Sequence, residues 1–96
     1  MLNKIKKRCG IHESVTIYDD EILDLIASAT HEMIQSGISI GNVTAANAMA
    51  VNAVACYVKA YLGDDRSDTA TYLEMFRDKT VRLVLDESLE SEVANV

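Results

Sequence analysis

The segment from Thr44 to Leu62 constrains the fold of this chain more than any other part of the sequence. Its alanines and valines recur on every side of a helical projection, where most helices have one apolar stripe. A helix that is apolar all round is stable in water only when other elements cover it on several sides. We therefore predict a central helix capped by Thr44 and stopped by Gly63, with core positions at Val51, Val54, Val58 and Leu62.

Three further segments have the pattern of helices that could cover it. A short basic helix is predicted from Leu2 to Cys9, and an amphipathic helix from Asp19 to Gly37 with Asp19 or Asp20 as its cap. A fourth helix follows the turn "GDDRSD" and is capped by Ser67 or Asp68. Short loops join these elements, which predicts an all-α fold: a small bundle of three longer helices plus a short N-terminal helix, the third helix being central.

The length of the chain, 96 residues, is that of one domain. We predict a helical domain over residues 1–85 and an acidic tail over residues 86–96, which either continues the fourth helix or lies free. No apolar run approaches the roughly 20 residues that span a bilayer. The basic start of the chain is not followed by the apolar core of a signal peptide, so we expect a cytoplasmic protein.

The sequence contains no convincing pattern for catalysis, a metal or a cofactor. The stretch "HEMIQ" begins like a zinc-protease motif, but Gln35 stands where the second histidine, four residues after His31, would be. Cys56 is expected to be a small core residue, and neither cysteine belongs to a short motif that would make it a nucleophile. We expect a protein that is not an enzyme and that holds no metal or cofactor.

Charged residues are segregated along the chain, which carries a net charge of −6. Residues 1–12 hold four bases and no acid, and residues 86–96 hold four acids and no base. Such segregation favours contacts between proteins over a grip on nucleic acid. The tyrosines at positions 57, 61 and 72 belong either to the core or to an oligomer contact. We predict contacts with other subunits or proteins at Lys4, Lys7, Arg8, Asp20, Asp24 and Arg82.

Three stretches together resemble the small head–tail connector proteins of long-tailed phages and prophages. They are "EILDLIASATHEMIQSGI" after an acidic cap, "YVKAYLGDDRSD" at the end of an alanine-rich helix, and "YLEMFRDKTVRLVL". The resemblance covers residues 1–85, the predicted connector domain. Many relatives have a small-residue signature near the end of the last helix, whereas this chain reads "VRLVLDESLE" without a glycine. The matching residues are Asp19, Asp20, Ile22, Ile26, Ala29, Ala53, Tyr57, Val58, Lys59, Gly63, Asp64 and Asp65.

The resemblance implies a structural virion protein without catalysis or cofactor. Its expected partners are other copies of itself, which form a ring that is usually twelvefold, the portal protein above it, and the next neck or tail-completion protein below. DNA would pass through the ring without sequence-specific binding, and no membrane is involved. The expected locations are the host cytoplasm during assembly and the virion neck. The alternative is a small helical protein-interaction or regulatory module.

Overall fold

The computed structural model describes residues 1–63 and 65–94, with side chains as far as Leu89. Asp64 and the last two residues of the predicted tail lie outside the described residues. Within the described part, the chain forms four α-helices, one 3-10 turn and no strand. The predicted all-α bundle is confirmed. The elements are α1 (Leu2–Arg8), α2 (Asp19–Gln35), the 3-10 turn Ile40–Asn42, α3 (Ala48–Tyr61) and α4 (Thr69–Ala94).

Helix α3 is the centre of the bundle, as its apolar circumference predicts. It packs against α1, α2 and α4. Val51, Val54 and Val58 have no exposed surface, and burial of each such side chain contributes on the order of 2 kcal/mol. Leu62 follows the last residue of α3 and is partly buried against the same core. Because its neighbours cover α3 on three sides, polar residues remain on one narrow exposed strip.

The prediction that Thr44 caps the third helix is wrong. Helix α3 begins at Ala48, and its N-cap is Asn47, whose side-chain oxygen accepts a hydrogen bond from the Ala50 amide at 3.2 Å. The Asn47 amide group also donates to the Asn42 carbonyl at 3.0 Å. This second bond ties the cap to the 3-10 turn, so the chain between the turn and Asn47 is held in a non-helical conformation.

The prediction that Asp19 or Asp20 caps the second helix is also wrong. The N-cap position is Tyr18, which makes no side-chain capping bond, and both aspartates lie inside the first turn. The Asp19 carboxylate lies against the Lys6 ammonium, with Oδ1 and Nζ 2.9 Å apart. The first turn of α2 therefore carries acids that interact favourably with the positive end of the helix dipole, and one of them also pairs with a lysine of α1.

Helices α1 and α2 end in the same way, at glycines in the left-handed region. Gly10 has φ 74° and Gly37 has φ 111°. The amide of Ile11 donates to the Lys6 carbonyl at 2.8 Å, and the amide of Ile38 donates to the Met33 carbonyl at 3.2 Å. These bonds define Schellman motifs, in which glycine avoids the steric cost of a Cβ atom. Each helix therefore stops where its glycine predicts.

Helix α4 continues through the residues predicted as a tail, as far as Ala94. The Glu87 carboxylate accepts hydrogen bonds from the Ser39 amide at 2.9 and 3.1 Å and from the Asn42 side chain. This contact fastens α4 to the loop before α3. The domain boundary predicted at residue 85 stays a prediction. Among the described helices, none combines the length and the apolar character needed to cross a bilayer.

Candidate assembly surfaces

Two of the predicted contact residues on α1 tie that helix to α3 and to the loop before it. The Lys4 ammonium donates to the Ala45 carbonyl at 2.6 Å, and Arg8 Nε donates to Asn52 Oδ1 at 2.7 Å. Both basic side chains are nevertheless exposed, as is Lys7 between them. The basic helix is therefore held on the bundle with Lys4 and Arg8 along one surface, since the two residues are one helical turn apart.

A groove between α3 and α4 brings this basic surface together with Arg82. Asn52, which receives the Arg8 hydrogen bond, lies in the groove beside Lys79 and Arg82. Asp78 is the single carboxylate among the described residues that line it. We call this surface the basic groove; with Arg8 at its edge, its lining residues are Met49, Asn52, Met75, Asp78, Lys79 and Arg82.

The outer side of α2 has the opposite charge. Asp20 and Asp24 are exposed, and α2 contains no lysine or arginine. They stand two residues before and after buried Ile22, so at about 100° per residue they point about 160° away from it. Leu23 lies beside them and is 47% exposed. We call the surface formed by Asp20, Leu23 and Asp24 the acidic face.

The basic groove and the acidic face lie on different sides of the bundle. The residues that line the basic groove belong to α3 and α4, whereas the acidic face is on the side of α2 opposite buried Ile22. The structure therefore brings Arg8 and Arg82 to one groove, to which Asp20 and Asp24 do not belong, whereas Lys4 is bonded to the loop before α3.

Lys6 is a structural residue that the sequence reading grouped with the other bases of the first helix. Its side chain is only 1% exposed. The ammonium donates to the Glu13 carbonyl at 2.9 Å and forms an ion pair with Asp19, whose Oδ1 atom is buried. The sequence signal for this role is the spacing of α1, which turns Lys6 to the same side as Leu2 and Ile5.

A third exposed surface is apolar and runs along α4. Val81, Leu85 and Leu89 are 57–60% exposed and recur every four residues. Beneath them a groove runs between α2 and α4, and it contains Glu32 and Thr80. Thr80 is buried, and its hydroxyl has no hydrogen-bond partner among the described residues. The structure thus leaves apolar area uncovered along α4, outside the residues that line the basic groove.

The remaining candidate residues have ordinary structural surroundings. Tyr57 is buried, with its ring centroid 5.0 Å from Tyr61 and 5.1 Å from Phe76, so it belongs to the core. Cys56 is buried and Cys9 partly buried, both as free thiols, and burial raises the pKa of each. Within the described residues, no group of three His, Cys, Asp or Glu side chains is placed to hold a metal ion.

Comparison with known proteins identifies one family. A model of the family described as phage connector protein matches residues 1–93. Comparison with curated proteins and with solved structures finds no significant match. The family match covers all four helices almost completely, including both the basic groove and the acidic face.

Proposed function

The chain belongs to the phage connector protein family, and we propose that it is the subunit of a ring, twelvefold in the usual case, beneath the portal. In this role it is a structural head–tail connector protein of a bacteriophage or prophage. The ring would extend the DNA channel from the portal and form the platform on which the next neck or tail-completion protein docks. Assembly would take place in the host cytoplasm, and the mature location would be the virion neck.

The use of apolar residues in this fold supports a role in assembly. Helix α3 buries nine of its residues against the other helices, so its apolar surface holds the domain together. The charged side chains remain exposed on the basic groove and the acidic face. A ring built from identical subunits needs two different patches on each subunit, because each contact joins unlike surfaces. Two separated surfaces of opposite charge fit that requirement.

The charge of the chain supports passage of DNA and disfavours tight binding. A net charge of −6 makes a ring of many copies strongly negative, and DNA carries one negative charge per about 1.7 Å of its axis. Like charges repel, so a channel lined by such subunits would let DNA slide. We propose that the protein acts through its surfaces and without catalysis, in keeping with a family of structural proteins.

Electron microscopy of the chain mixed with purified portal rings tests this proposal. We expect an added ring of density on the tail side of the portal, and we expect the mass of the complex by native mass spectrometry to give the number of copies. The Val54→Asp variant, whose core is disrupted, is the matched negative control. Portal rings without added density at saturating wild-type protein would contradict the proposal and favour the regulatory or protein-interaction module.

A further inference from the structure

We infer that the basic groove of one subunit receives the acidic face of a second copy of this chain. This inference rests on the proposed ring and names the two surfaces that form its repeated contact. Both surfaces are exposed in the single subunit, and they lie on different sides of the bundle. A contact between them is therefore of the head-to-tail kind, which leaves one free surface of each type for the next copy.

Charge complementarity identifies the occupant of the groove. Among the side chains that line the groove, Lys79 and Arg82 are two cations against the one carboxylate of Asp78, and Arg8 adds a third cation where it bonds to Asn52 at the edge. The acidic face presents two carboxylates on a helix without lysine or arginine. Opposite potentials of this kind steer association and fix its register.

The spacing of the charges and the shapes of the surfaces also match. Asp20 and Asp24 are four residues apart on α2, and Lys79 and Arg82 are three apart on α4, so both pairs are separated by about 5–6 Å between Cβ atoms. Leu23 stands beside the two aspartates and is 47% exposed.

The groove offers an apolar partner to this leucine. Met49 and Met75 line its walls and are 42% and 41% exposed. Methionine side chains are flexible and polarizable, so they adapt to an inserted apolar group. In this arrangement Leu23 enters the groove between the methionines, while the two carboxylates beside it reach Lys79 and Arg82.

Cross-linking between single-cysteine variants tests the pairing. In a chain carrying Cys9→Ala and Cys56→Ala, one protein carries Leu23→Cys and another Met75→Cys. Each variant by itself and the mixture of the two are oxidised. Each of these samples is prepared once without portal rings at high protein concentration and once with portal rings. We expect a disulfide-linked dimer from the mixture only. A dimer formed by either variant alone, or no dimer from the mixture in either condition, would overturn the inference. In the control mixture, Leu85→Cys takes the place of Met75→Cys beside Leu23→Cys. Leu85 lines the other groove, so this mixture should give no dimer.

Charge reversal gives a second readout with the native cysteines in place. Asp24→Arg and Arg82→Glu should each weaken self-association, measured by light scattering or on portal rings, by about tenfold or more, because like charges then meet. The double variant should recover most of the loss, since the pair is restored with its signs exchanged. Arg77→Glu is the matched control, because Arg77 is exposed on α4 but lines the other groove. Equal losses for Arg77→Glu and Arg82→Glu, or no recovery in the double variant, would contradict the pairing.

The two proposals fail in different ways. If the chain adds a ring of density to the portal and the two cysteines do not cross-link in that ring, the surface pairing is wrong and the proposed function stands. If the cysteines cross-link in solution and the portal gains no density, the pairing stands and the proposed function is wrong.

Discussion

The buried ion pair between Lys6 and Asp19 leads to the sharpest stability prediction. We consider Lys6→Met, which keeps the length and apolar stem of the side chain and removes its charge. The Lys6 side chain is 1% exposed and that of Asp19 is 25% exposed, with Nζ and Oδ1 2.9 Å apart. Loss of the ammonium leaves the carboxylate without its charge partner at the junction of α1 and α2.

The expected magnitude follows from the partial exposure of Asp19. Removing one partner of a buried pair costs about 3–5 kcal/mol, because the other charge stays buried. A quarter of the Asp19 side chain is open to water, and this solvation lowers the expected loss of unfolding free energy to about 2–3 kcal/mol. For a domain of this size that corresponds to a fall in Tm of about 10–20 °C.

Urea denaturation followed by circular dichroism at 222 nm measures this effect. We expect the midpoint to fall by about 1–2 M. Lys7→Met is the control, because Lys7 is the next residue on α1 and is exposed; it should change the unfolding free energy by less than about 0.5 kcal/mol. The double variant Lys6→Met/Asp19→Asn should be more stable than Lys6→Met, since a neutral pair no longer buries a lone charge. Equal effects of Lys6→Met and Lys7→Met would refute the reasoning.

Three other predictions concern the core, the loop clamp and alkaline pH. Val54→Asp should abolish the cooperative thermal transition, because Val54 has no exposed surface and an unpaired buried charge is severely destabilising; a retained transition would contradict the central role of α3. Glu87→Gln should lower the free energy of unfolding by about 1 kcal/mol by weakening a charge-assisted bond. Hydrogen exchange at the Ser39 amide should accelerate, whereas exchange at the Val58 amide should change only as much as global unfolding does. Burial and Glu32 raise the pKa of Tyr57, so the stability that its neutral hydroxyl contributes is complete below its unfolded pKa of about 10 and is lost as pH rises through the folded value. Tyr57→Phe should therefore lose less unfolding free energy than wild type between pH 9 and 11. Both proteins contain the two cysteines, whose effect cancels in the comparison.

Local pattern was sufficient to predict the helices and their ends at glycine. Gly10 and Gly37 stop α1 and α2 because only glycine adopts positive φ without steric cost. The caps were less predictable, because Asp, Asn, Thr and Ser compete for the same position. Asn47 became the cap of α3 through its second bond to the Asn42 carbonyl, and that bond depends on the position of the 3-10 turn.

The surfaces were likewise predictable only in part from the sequence. The sequence gives the signs of the charges, and from it we predict that Lys4, Arg8, Asp20 and Arg82 serve contacts. The grouping of Arg8 with Arg82 depends on the packing of α1 and α4 against α3, which brings both residues to the groove that contains Asn52. Residues 8 and 82 are far apart in the chain, and no local pattern relates them.

The sequence by itself determined that one helix must be covered on several sides, because it has alanine and valine all round and is stable only when this apolar surface is buried. The tertiary structure decided which charged side chains stayed on the surface. Lys6 and Lys7 are neighbours with the same chemistry, yet one is buried against Asp19 and the other is exposed. One step along a helix turns a side chain by about 100°, and the position of the neighbouring helix then determines whether that side chain is solvated or paired.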